Sequence, residues 1–83
     1  MRYEVKTHLT PPETMQEAIE YFGTQGVGLE LTHQDHACLI FQGGGGHVAV
    51  TVDANGGGKS QTTVQLETRE WDYPVRKFMG KLH

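Results

Sequence analysis

Residues 54–68, ANGGGKSQTTVQLET, admit two readings, and the choice between them decides the fold. Three glycines followed by Lys59 and Ser60 look like the end of a phosphate-cradling loop. Such a loop needs another glycine five positions before Gly58, and Asp53 stands there, a carboxylate that repels phosphate. It must also open a helix, so that the first helical N–H groups point at the anion. Here Val64, Leu66 and Thr68 alternate with Gln65 and Glu67, a period of two that belongs to a strand. The glycines therefore read as the corner of a hairpin, with Asn55-Gly56 as its turn dipeptide.

Upstream of that corner, Val48, Val50 and Val52 share one face of a strand, with His47, Ala49, Thr51 and Asp53 on the other. Gly43 to Gly46 separate it from the continuous apolar run ACLIFQ, residues 37–42, which reads as a strand in the middle of the sheet. This glycine run is either a mobile flap, a place where a ligand meets bare backbone, or a loop between strands; the last is favoured, since glycine runs commonly punctuate strands. A polar turn, HQDH, precedes the apolar run, and Val27, Leu29 and Leu31 alternate before that as another strand. Tyr3, Val5, Thr7 and Leu9 alternate with Arg2, Glu4, Lys6 and His8 at the start of the chain.

Two helices complete the series. Thr10 caps the first, with Pro11 and Pro12 in its opening turn and Glu13 closing a capping box. Met15, Ala18, Ile19 and Phe22 form its apolar stripe, and Gly23 ends it, where a left-handed residue is usually wanted. Asp72 is expected to cap the second helix, with Pro74 in its first turn. Trp71, Val75, Phe78 and Leu82 lie on one side of it, and Arg76, Lys77 and Lys81 gather near its C-terminal end.

The expected fold is α+β: a two-layer β-α-β-β-β-β-α domain over residues 1–83, a five-stranded antiparallel sheet with both helices on one face. A chain of 83 residues holds one small core. A mean hydropathy of −0.49 leaves no stretch apolar enough to cross a bilayer. The opening residues alternate charged and apolar types and so do not form a signal peptide. One cysteine, Cys38, cannot pair internally, which points to a reducing compartment, the cytoplasm. The formal net charge of −3 argues against a nucleic-acid partner.

This order of elements resembles the repeat unit of the TATA-binding-protein-like fold, and also a reduced form of the helix-grip fold. The resemblance rests on element order alone, so it implies an architecture and no residue roles. The first family implies pairing of two units into one continuous saddle. The second implies a small hydrophobic ligand held between the sheet and the C-terminal helix, near Trp71 and Phe78.

Three groups of residues are candidates for function. His33, Asp35, His36 and Cys38 lie within six residues and include metal-ligand types, but His33 and His36 fall in a turn and Cys38 begins the next strand, so the group reads as a polar hairpin corner and not a metal site. Strict alternation places Tyr3, Val5, Leu29, Val50 and Leu66 toward the helices. The opposite face then shows His8, Glu30, His47, Thr51, Gln65 and Glu67, with Leu39 or Phe41 in its middle. Glu30, His47, Thr51 and Gln65 are the candidate binding residues, and Glu30 with His47 would form an acid–base pair if adjacent. Neither a nucleophilic triad nor a cofactor motif is legible, so a non-enzymatic binding or assembly module, a homodimer or a partner of another protein, is the expectation.

Overall fold

The computed structural model describes residues 1–54 and 61–82. Its elements are β1 (Arg2–Thr7), α1 (Pro11–Phe22), β2 (Glu30–Gln34), β3 (Cys38–Gly43), β4 (Gly46–Ala54), β5 (Thr62–Arg69) and α2 (Asp72–Lys81). The five strands form one antiparallel sheet in the order β1-β5-β4-β3-β2. β2 to β5 are a meander, and β1 joins it beside β5. The segment after Ser60 is therefore a strand, which a phosphate loop does not lead into. Asn55 to Ser60, the expected hairpin corner, lie outside the described residues.

Both helices pack on one face of the sheet. Phe22 of α1 is the joint between the layers: its ring centroid lies 5.0 Å from that of Phe78 on α2 and 5.5 Å from that of Phe41 on β3. Around these rings, Ala18, Val75, Leu39, Val48, Val50, Val64 and Leu66 are buried. Burial of this apolar area drives the layers together. Among the described residues, no helix is long and apolar enough to cross a membrane.

α1 begins as its sequence requires. The Glu13 N–H donates to Thr10 Oγ1 at 3.2 Å, and the Thr10 N–H donates to Glu13 Oε1 at 2.9 Å, satisfying two groups that the helix leaves open. Its C-terminal end departs from expectation. Gly23 has φ −72° and is not left-handed. The last carbonyls are closed instead by the returning chain: Val27 N–H bonds Tyr21 O, and Leu29 N–H bonds Phe22 O. Those donors are spent on the helix end, so the strand starts at Glu30 and not at Val27.

Three further expectations change. The strand β2 runs on through His33 and Gln34, so the turn is Asp35 to Ala37. The middle strand is β4, and β3 is one place from the edge. Asp72 is the first residue of α2, and Trp71 takes the cap position with no side-chain cap bond. The Asp72 carboxylate instead accepts the Tyr3 hydroxyl proton at 2.7 Å, tying α2 to β1. That bond, the largest cause, together with burial and the nearby negative charge, raises the Tyr3 pKa.

Candidate interaction face

The register fixes which residues share the sheet face away from the helices. Directly paired residues in an antiparallel ladder point to the same side. Phe41 pairs with Val48, Leu39 with Val50, and Val50 with Leu66, all buried against the helices. Residues between them face out. One row across the strands reads Glu30, Gln42, His47, Arg69. The next reads His33, Ile40, Ala49, Glu67, Arg2, and the third Cys38, Thr51, Gln65, Glu4. A last short row holds Asp53, Thr63 and Lys6.

This corrects the expected face in two places. Leu39 and Phe41 are both fully buried on the helix side, and Ile40, half-buried, holds the middle of the open face. A strand with apolar residues at every position carries no alternation, so its own composition cannot say which side is in. His8 lies beyond β1 in the bend before α1 and is not part of the sheet.

Glu30, His47, Thr51 and Gln65 do all lie on the open face, but they do not converge. Thr51 and Gln65 are direct cross-strand neighbours. Glu30 and His47 both pair with Gln42, one on each side of it, and so stand two strand spacings apart, roughly 9–10 Å. They are not adjacent, and the acid–base pair is not formed. Toward the β1 side of the face, Arg2, Glu4, Ala49, Thr51, Gln65 and Glu67 line a concavity of about 350 Å³. The Gln65 side-chain amide donates to Glu4 Oε1 at 3.4 Å along one wall.

The Asp35 cluster has a different task. One carboxylate oxygen of Asp35 accepts the N–H groups of Ala37 and Cys38, each at 2.8 Å, and the other meets His33 Nε2 at 3.0 Å. These bonds, the Ala37 N–H foremost and then His33, lower the Asp35 pKa below the ordinary carboxylate value. The side chain closes the turn between β2 and β3 as an Asx-type corner. Among the described residues, no set of three or more His, Cys, Asp or Glu side chains is arranged to hold a metal.

The glycine run is also accounted for from within the chain. Gly44 and Gly45 are the two central residues of the β3–β4 hairpin, with φ of +57° and +81°, the left-handed pair that a type I′ turn requires. Trp71 covers this bare backbone: its Nε1–H donates to Gly43 O at 2.9 Å, and a Cβ on Gly44 would stand 2.8 Å from Trp71 Cζ2. A ligand for the exposed glycines was one reading of the sequence, and the protein's own indole occupies that place.

Sequence reasoning missed Ile40 and Gln42 on the open face, although a signal was present. A two-residue turn at Gly44-Gly45 pairs Gly43 with Gly46 and hence Phe41 with Val48, which puts Phe41 on the valine side. No protein-family model matches the chain, and no curated protein matches it either.

Proposed function

We propose that the chain is a small non-enzymatic binding or assembly module that self-associates through its open sheet face. The observation that carries this reading is the anatomy of that face: Ile40 and Ala49 are direct neighbours at its centre, and the polar side chains of His33, Gln42, His47, Thr51 and Glu67 lie around them. An apolar centre inside a polar rim is the usual plan of a protein–protein contact. The polar candidates lie in two separate rows, Glu30 with His47 and Thr51 with Gln65, and do not converge, which suits a broad contact better than the geometry that catalysis needs. Four to five strands at about 4.8 Å spacing and three to four rows at about 6.8 Å give a footprint of roughly 400–650 Å² per copy. That is at the low end for specific contacts, so a weak dimer in the high micromolar range is expected.

Element order in common with the TATA-binding-protein-like unit supports an assembly role, since that fold is built from paired units. A lone, half-exposed Cys38 fits a reducing, cytoplasmic setting. The open face mixes Glu4, Glu30, Asp53 and Glu67 with Arg2, Lys6 and Arg69, an unfavourable surface for nucleic acid. The other reading, a hydrophobic ligand between the sheet and α2, has less support: Phe78 is packed against Phe22 and Tyr21, and Trp71 is bound to the hairpin.

Sedimentation of the wild type and of Ala49→Arg tests the proposal. A guanidinium at the centre of the face should hold the protein at 9.2 kDa where the wild type forms dimers. Equal association by both proteins rejects the open face as the contact, whereas a melting temperature that responds to hydrophobic ligands and not to protein concentration favours the other reading.

A further inference from the structure

The partner's orientation follows from the charge pattern, given the self-association proposed above. We infer that the open face binds a second copy of the chain, related by a two-fold axis that crosses the strands between the Ala49 row and the Thr51 row. Such an axis lays each strand over its own counterpart, reversed, and exchanges the rows in pairs. Arg2 then faces Glu4 of the other copy, and His47 faces its Asp53. Glu67 faces the amide of Gln65, Ala49 faces Thr51, and Ile40 faces Cys38. Every contact occurs twice, as a two-fold interface demands.

Other placements are worse. An axis along the Ala49 row sets Arg2 on Arg2 and Glu67 on Glu67. An axis along the Thr51 row sets Glu4 on Glu4 and Arg2 on Lys6. Positions further toward either end of the strands overlap about half as many rows. An axis parallel to the strands along β4 puts Glu67 over Ile40. Sheets packed face to face keep their strands within about 30° of alignment, so long side chains such as Arg2 and Glu4 still reach each other across the gap of about 10 Å. Association by the sheet edges is disfavoured by the chain itself. β1 carries Arg2, Glu4 and Lys6, and β2 is broken by a register shift between Leu31 and His33. Both are devices that blunt an edge.

The pairing of Arg2 with Glu4 across the axis permits a charge-exchange experiment. Arg2→Glu alone and Glu4→Arg alone each place like charges opposite one another in a homodimer. Each should weaken association by about tenfold or more. An equimolar mixture of the two chains restores every pair in a heterodimer, and R2E/E4R in one chain restores them in a homodimer. Both residues are exposed, and circular dichroism checks that each variant is folded. Expected in sedimentation are single variants at 9.2 kDa, with dimers regained by the mixture and by the double variant. If wild type dimerises, Ala49→Arg abolishes it, and the mixture stays monomeric, the orientation is wrong while the open face remains the contact. If wild type never dimerises, or Ala49→Arg dimerises equally well, the underlying reading fails and the orientation with it.

Discussion

Replacing Phe22 by alanine should come close to unfolding the protein, because this one ring joins α1 to both the sheet and α2. The side chain is fully buried, with ring neighbours at 5.0 Å (Phe78) and 5.5 Å (Phe41). Truncating a buried phenylalanine to alanine costs about 3–5 kcal/mol, the lost transfer energy plus the cavity left behind. At about 0.05–0.15 kcal/mol per residue, a chain of 83 residues has about 4–12 kcal/mol to lose. With a urea slope near 1 kcal/mol/M, the midpoint should fall by about 3–5 M, measured by the fluorescence of Trp71. A cycle of Phe22→Leu, Phe78→Leu and the double variant should show a coupling of about 0.5–1.5 kcal/mol for two rings in contact. A loss below about 1 kcal/mol for Phe22→Ala, against the about 3–5 kcal/mol expected, or zero coupling to Phe78, would refute the placement of both helices on one face.

The hairpin makes a paired prediction. Gly44→Ala must adopt a left-handed backbone and also meet Trp71, whereas Gly45→Ala adopts the same backbone region in open space. Both should lose about 1–2 kcal/mol from the backbone, and Gly44→Ala should lose more and shift the tryptophan emission, which Gly45→Ala should leave unchanged. Asp35→Ala should lower the melting temperature at neutral pH by removing the acceptor that closes the β2–β3 turn. Because the folded-state pKa of Asp35 lies below its ordinary value, its contribution is present above that ordinary value and fades as pH falls through the folded one. The gap between wild type and Asp35→Ala should therefore narrow in acid, and a constant gap down to the lowest pH would show that ionised Asp35 does not close the turn.

The parts of this fold legible in the sequence are those set by near neighbours. The capping box of Thr10 and Glu13, the helical stripe ending at Phe22, and the alternation of Val48, Val50 and Val52 are each written within a dozen residues. What escaped depends on distant partners. Whether Val27 to Leu29 pair as a strand depends on the open carbonyls of α1. Trp71 covers the glycine hairpin from 28 positions away, and nothing near either segment announces it. Asp72 looks like a cap until the Tyr3 hydroxyl, from the far end of the chain, claims its carboxylate. The sides that Glu30 and His47 occupy were readable by parity, but their adjacency was not, and only the register shows Gln42 between them.

Self-association through the open sheet is tested most directly by following amide chemical shifts of the labelled wild-type protein across a dilution series from about 1 mM to about 10 µM, spanning the expected dissociation constant. Shifts should move with concentration along the outward positions of β3 and β4, at Cys38, Ile40, Ala49 and Thr51, and remain still on the outer surfaces of α1 and α2. Spectra unchanged over that whole range, or changes confined to the helices or to the edges at β1 and β2, would contradict it.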